Sequence, residues 1–304
     1  MRLLRRTAAL GLVLLLGTAC AAPAPVAPGQ SGEPSRPTER PGPTGVGPQV
    51  LAAWRDFPVR RTPRPIVLLG AMVKEPGYRT DEAKVAVATG RVELATTPPT
   101  APAAIRVALP DGTHRLPTAS AAEAFAVLRA HGKPENAPGQ SPPPVRITRV
   151  SLGEAEFPTD RGRLRLPAWL FHAAEFLEPI AVPALAASAF WRPGELAATG
   201  LGDSRLSADG RTLTVVMAAP HPSPCPGQPS ERFVPTLVES ATAVAVGVRV
   251  EFGPTASGDP GTTCARDLML RTAEYQVTLG APLGNRVLVN AEGAPQAVTP
   301  PVSG

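Results

Sequence analysis

The chain has 304 residues, with 30 Lys and Arg against 25 Asp and Glu and a formal net charge of +5. Three of those charges, Arg2, Arg5 and Arg6, lie at the extreme N-terminus, leaving +2 for the rest. No basic run with interleaved aromatics occurs, which argues against nucleic acid as a partner. Aromatic residues are only 4% of the chain. The core must therefore rest on Val, Leu, Ala and Ile, with Trp54, Trp169 and Trp191 as the few large fillers. The 39 prolines, and a basic complement with only Lys74, Lys84 and Lys133 as lysines, read as a high-GC coding bias rather than as chemistry.

The first elements in chain order form a targeting segment. The three arginines make a positive n-region, Thr7 to Leu16 is a short apolar run, and Gly17, Thr18 and Ala19 are small residues of the cleavage-site type. The run covers ten residues, about half of what spans a bilayer. Cys20 follows directly, so a cut after Ala19 leaves a thiol at the new N-terminus. Residues Leu16, Gly17, Thr18, Ala19 and Cys20 resemble the lipobox of bacterial lipoprotein signals, with Gly17 in place of the usual aliphatic residue. The resemblance implies diacylation of Cys20 and cleavage before it. Two or more acyl chains anchor a protein stably to a membrane. More broadly, the chain resembles envelope lipoproteins of high-GC Gram-positive bacteria, a likeness carried by residues 1–20. It implies a place, the extracytoplasmic face of the cell membrane, and no activity.

Residues 20–49 read as a tether. From Ala21 to Gln49 the chain holds 8 Pro, 5 Gly and no aromatic residue, too little apolar surface to offset the entropy of ordering. Such a segment reaches ~30 Å as a coil and ~90 Å as extended polyproline II. A second break, "KPENAPGQSPPP" at 133–144, separates an N-terminal unit (50–132) from a C-terminal unit (145–292). It reads either as a linker or as a long loop within one fold. Residues 293–304 read as a flexible tail.

The N-terminal unit reads as a small sheet with one helix. Ile66 to Leu69 is a buried strand. Val85 and Val87 alternate, and Thr89-Gly90 turns the chain into Val92 and Leu94. Ile105, Val107 and Leu109 lead into a "PDG" hairpin turn at Pro110 to Gly112. In "SAAEAFAVLRAHG", Ser120 and Glu123 make a capping box, Phe125 and Leu128 an apolar stripe, and Gly132 with Pro134 a stop.

The C-terminal unit reads as an antiparallel sandwich or barrel-like sheet. Val244, Val246, Val248, Val250 and Phe252 fall on one face with strict period two. Tyr275, Val277 and Leu279 repeat the pattern. Asp209-Gly210 turns into Leu213, Val215 and Met217, and a hairpin turns near Asp160 to Gly162 and returns through the Trp169 cluster. Turn-separated strands at this spacing make the fold class mainly β, of α+β type.

With Cys20 assigned to lipid, Cys225 and Cys264 remain, one pair for a disulfide in an oxidising compartment. The alternative, a metal site using His221 and Cys225 in "HPSPC", lacks the compact paired spacing of zinc ligands. No metal and no cofactor is implied. "GDSRL" at 202–206 resembles the GDS block of SGNH-type hydrolases, but the late Asp-x-x-His that activates that serine is missing, and a serine far from a base is a poor nucleophile. Asp160, Arg161 and Arg163 read as surface charge around a turn. The apolar cluster around Trp169, Phe171 and Trp191 reads as core, with an apolar groove as its functional alternative.

These readings converge on a membrane-anchored extracytoplasmic lipoprotein, a non-catalytic interaction or structural module with an envelope protein as partner. A lipid- or small-ligand-binding protein is the alternative, and a hydrolase with an unrecognised site comes third.

Overall fold

A computed structural model of the chain describes residues 45–191, 202–259, 263, 264, 267 and 269–299. The signal segment, Cys20 and the tether up to residue 44 lie outside the described residues. The described residues belong to one compact unit, and it is mainly β with several antiparallel sheets.

The chain enters as a 3-10 helix, Pro48–Trp54, with Leu51 and Trp54 buried. The last residues read as tether are therefore part of the fold, and Val46 N–H donates to Thr236 Oγ1 at 3.1 Å. Ile66 to Leu69 is buried and extended, bridging Phe190 and Thr159. Helix α1, Asp81–Ala88, comes next. Val85 and Val87 lie on it rather than on a strand. Thr80 caps it by accepting from Ala83 N–H, Asp81 and Glu82 occupy its first turn, and Ala83, Ala86 and Val87 make the buried face. That is helical spacing with a complementary N-terminal charge, which outweighs the two-residue alternation of the valines.

Strand β1, Val92–Leu94, is followed by the hairpin β2, Ala104–Leu109, and β3, Gly112–Pro117. Its two-residue turn is Pro110-Asp111, and Gly112 takes a φ of +124°. Helix α2, Ala121–His131, carries the expected capping box in full. Residues 133–144 run as a loop fastened to α1, with Lys133 N–H and Asn136 Nδ2 both donating to Ala88 O. They lead into β4, Val145–Ile147, which pairs in parallel with β1. The units on either side of this loop thus share a sheet, and a core cluster contains Ala86, Val87, Leu128, Ile147, Trp169 and Phe171.

Strands β5, Arg149–Thr159, and β6, Gly162–His172, form a long hairpin, and β7, Ile180–Pro183, adds to β6. The remaining strands make a sandwich. One sheet contains β8 (Ser204–Leu206), β9 (Thr212–Ala218), β12 (Thr272–Thr278) and β14 (Val298–Thr299) in the order β12-β9-β8-β14. The other is β10 (Pro229–Glu239), β11 (Ala243–Thr255) and β13 (Val287–Val289). They face each other through Leu213, Val215 and Met217 on one side and Val244, Val246 and Val248 on the other. The opposite face of β11 is covered too, because Ala243 and Ala245 pack with Leu51, Trp54 and Phe57. The inward face ends before Phe252, which is 67% exposed.

Residues 293–299, read as part of a flexible tail, belong to the fold. Gln296 and Val298 are buried, Trp54 Nε1 donates to Gly293 O at 2.9 Å, and β14 pairs with β8. Short apolar positions among Gly and Pro give little periodicity, so only their pairing partner reveals the strand. Residues 300–304 lie outside the described residues.

Candidate functional site

The β5–β6 turn is where segments near residues 64–67, 111 and 298, far apart in sequence, come together. Its two central residues are Asp160 and Arg161. Thr159 Oγ1 donates to Gly162 O at 2.6 Å, and Arg161 N–H donates to Thr159 Oγ1 at 3.2 Å. Gly162, at φ +84°, supplies the left-handed residue that closes it. The turn docks through backbone bonds on both sides. Asp160 N–H donates to Val67 O and Val298 N–H donates to Asp160 O, each at 3.0 Å.

Docking carries the Asp160 carboxylate into the interior. There Arg64 Nη2 meets Asp160 Oδ2 at 2.5 Å, with both side chains almost wholly buried. Arg64 Nε donates to Asn285 O at 2.8 Å, and the guanidinium lies 4.6 Å from the centre of the Phe57 ring. A buried charge is tolerable only when paired and hydrogen-bonded, and Arg64 is both. Asp111, in the β2–β3 turn, accepts from Arg64 N–H at 3.0 Å. Its Oδ1 faces Arg161 Nη1 at 3.6 Å and His114 Nε2 at 3.5 Å. Burial pushes the Asp111 carboxyl up, but the bond from Arg64 N–H and the charge of Arg161 outweigh it and hold it below its ordinary range. Burial, then the neighbouring Arg64, lowers the pKa of Arg161.

Beside this network lies a half-enclosed cavity of about 180 Å³. Arg64, Asp111, Asp160, Arg161 and Arg286 supply its charged walls, and Pro110, Leu206, Leu283 and Val298 its apolar ones. Asp160 and Arg161 are thus interior groups and not surface charge; the surface reading holds for Arg163, which pairs with Glu156 at 3.0 Å with both side chains exposed. Arg64 carried no signal except its position next to the apolar run Ile66 to Leu69. Its partner lies 96 residues away.

The aromatic residues near Trp169 pack as core, the first of the two readings, and Trp169, Phe171 and Trp191 do not line a common groove. Trp169 and Phe171 are fully buried in one cluster, where Trp169 Nε1 donates to Ala119 O at 2.9 Å. Trp191 packs elsewhere, edge-on to Phe57 with ring centres 5.5 Å apart. In an aromatic-poor chain the large rings fill the centres of separate clusters, which leaves no shared face. Cys225 and Cys264 form a disulfide with Cα atoms 5.8 Å apart. It joins the β9–β10 and β11–β12 connections at the open end of the β10–β11 hairpin.

A serine and a histidine do meet, at a different pair from the one the GDS block suggests. His172 Nε2 lies 3.1 Å from Ser151 Oγ, and its Nδ1 lies 2.8 Å from Arg149 Nη2. A guanidinium only donates, so Nδ1 accepts and the ring proton sits on Nε2. His172 then donates to Ser151 instead of drawing its proton, the reverse of general-base activation. Burial, then the Arg149 charge, keeps the imidazole below its usual pKa. Ser204 is fully buried, and half-buried His221 sets its Nδ1 2.9 Å from Ser223 O, a carbonyl that only accepts, so Nδ1 donates there.

No protein-family model, curated protein or solved structure matches this chain. Among the described residues, no group of three or more His, Cys, Asp or Glu is placed to hold a metal ion. No described helix is long and apolar enough to cross a membrane.

Proposed function

We propose that this protein is a lipid-anchored extracytoplasmic envelope protein that acts as a non-catalytic interaction module. The observation that carries the reading is the lipobox Leu16 to Cys20 followed by the Pro-rich tether. A thioether-linked diacylglycerol on Cys20 holds the N-terminus at the membrane, and the tether lets the β-rich body stand clear of it. The Cys225–Cys264 disulfide supports an oxidising compartment. The partner is another envelope protein. Support for that comes from Phe252, Met269 and Leu270, large apolar side chains more than 60% exposed. Large apolar side chains left in solvent are the groups a protein contact would cover.

The test joins fractionation with crosslinking in cells. Wild type is expected in the membrane fraction, labelled by a fatty-acid probe, and Cys20→Ala is expected in the medium or as uncleaved precursor without label. An unchanged, still-labelled membrane pool for Cys20→Ala overturns the anchor. Wild type is expected to crosslink to one dominant envelope protein, and Phe252→Asp with Leu270→Asp to lose it. A crosslinking pattern unchanged by that double substitution overturns the interaction surface.

A further inference from the structure

Two strands border the same side of the sandwich, and their outer edges are built differently. β10 ends one sheet, β12 ends the other, and the two lie side by side. In an antiparallel ladder, alternate residues turn their backbone groups toward the paired strand and the rest turn them away. Ser240 N–H donates to Ala243 O at the tip of the β10–β11 hairpin. That phase gives Val234, Thr236 and Val238 to β11 and turns Phe233, Pro235, Leu237 and Glu239 outward. Pro235 has no N–H to offer there, a common way of blunting an exposed edge.

β12 has no such block. Ala219 N–H donates to Arg271 O at 2.9 Å and Leu279 N–H to Arg211 O at 2.8 Å. That phase gives Ala273, Tyr275 and Val277 to β9. Thr272, Glu274, Gln276 and Thr278 therefore point N–H and C=O away from the sheet, and all four are exposed. Among the described residues nothing pairs with those backbone groups. The strand contains no proline and no bulge. Its outward charge is met within its own sheet, because Glu274 accepts from Arg205 Nη2 at 2.7 Å. The open edge stops at Gly280, whose N–H donates to Glu239 Oε1 at 2.7 Å.

We propose that the open edge of β12 pairs with the same edge of a second copy of this chain, antiparallel about a two-fold axis at Tyr275. A two-fold interface must be self-complementary, and the sequence Thr-x-Glu-x-Gln-x-Thr meets that condition. With the axis at Tyr275, Thr272 lies opposite the second copy's Thr278, and Glu274 opposite the second copy's Gln276. Hydroxyl then faces hydroxyl, and each carboxylate faces an amide that donates to it. All the outward backbone groups of both strands are satisfied at once. An axis at Glu274 would set Glu274 against itself, like charge against like charge. An axis at Gln276 would set Thr272 against Gly280, whose N–H is already taken. The product is one sheet continuous through both copies, formed as extended chains add to an open edge. The inference does not rest on the anchor or on an envelope partner. It concerns the purified chain alone, so its failure leaves that reading as it stands.

The experiment is sedimentation equilibrium of the full-length chain in density-matched detergent, over a dilution series. Wild type is expected to show the mass of a dimer. Gln276→Pro removes an outward N–H without costing a bond to β9, and is expected to give a monomer with an unchanged far-ultraviolet circular dichroism spectrum. Gln276→Glu places carboxylate against carboxylate on both sides of the axis, and is expected to raise the dimer Kd at least about tenfold. Gln276→Lys, opposite Glu274 at the same two places, is expected to dimerise at least as tightly as wild type. A wild type that stays monomeric up to ~100 μM overturns the proposal. So does a dimer that Gln276→Glu leaves unchanged, or that Gln276→Lys weakens as much as Gln276→Glu does. If Gln276→Pro does not fold, the Glu and Lys variants decide alone.

Discussion

The β5–β6 turn and the open end of the β10–β11 hairpin solve one problem in two ways. Each is a place where chain reversals must be held against the body of the fold. At the β5–β6 turn the surroundings are dense. Asp160 and Arg64 are buried together, backbone bonds dock the turn on Val67 and Val298, and an ion pair is the crosslink. At the other site the core has run out. Beyond Val248 the hairpin holds exposed or half-exposed residues, Phe252 faces solvent, and a disulfide is the crosslink. Non-covalent crosslinks of high charge need a dry, well-packed setting to be worth having. A covalent one does not, which is why it appears where burial cannot supply the hold.

Breaking the two crosslinks separately tests this contrast. Arg64→Ala strands the Asp160 carboxylate in the interior and is expected to lower global stability by ~3–5 kcal/mol, read from urea unfolding. A loss below ~1 kcal/mol, the range of an exposed pair, would erase the distinction. Replacing Cys225 and Cys264 by Ser is expected to cost ~2–4 kcal/mol through greater freedom of the unfolded chain. Hydrogen exchange in that variant should rise first in the 225–264 region, with the β5–β6 hairpin still protected. Uniform loss of protection would show that the disulfide holds more than the open end.

Two smaller effects calibrate the scale. Ser120→Ala removes the N-cap of α2 and is expected to cost ~1 kcal/mol. Arg163→Ala, three residues from Asp160 in sequence, is expected to change stability by less than ~0.5 kcal/mol, since its partner Glu156 is exposed.

Titration separates the turns further. The folded Asp111 carboxyl is held below its ordinary value of 3.8, so the folded state binds fewer protons than the unfolded. Its contribution is complete above that ordinary value and is lost as pH falls through the lower folded value. Asp111→Asn is therefore expected to flatten the acid limb of a stability–pH curve below about pH 4. An acid limb identical to wild type would show that the carboxylate is not held by the junction.

How much of this was legible in the sequence depended on distance along the chain. The turns at Pro110-Asp111, Asp160-Arg161 and Asp209-Gly210 and the capping box of α2 are written in neighbouring residues, and they stand as read. Helix α1 was legible but misread: two alternating valines resembled a strand, while Thr80, Asp81 and the Ala83-Ala86-Val87 spacing marked a helix. Strand β10 was hidden by Pro229 and Pro235, which suit an outer strand whose N–H groups need no partner. The candidate site was the least legible part. Arg64, Asp111 and Asp160 come from three turns or loops far apart in sequence. A charge in a turn looks the same on paper whether the turn ends in solvent or plugs into a core. The aromatic residues were legible as core, but not that Trp169 and Phe171 belong to one cluster and Trp191 to another.

The two ends of the described chain meet. Trp54 Nε1 donates to Gly293 O, Val46 N–H donates to Thr236 Oγ1, and the Pro48–Trp54 helix covers one face of β11. A mechanical load entering from the N-terminal side therefore falls first on this clasp.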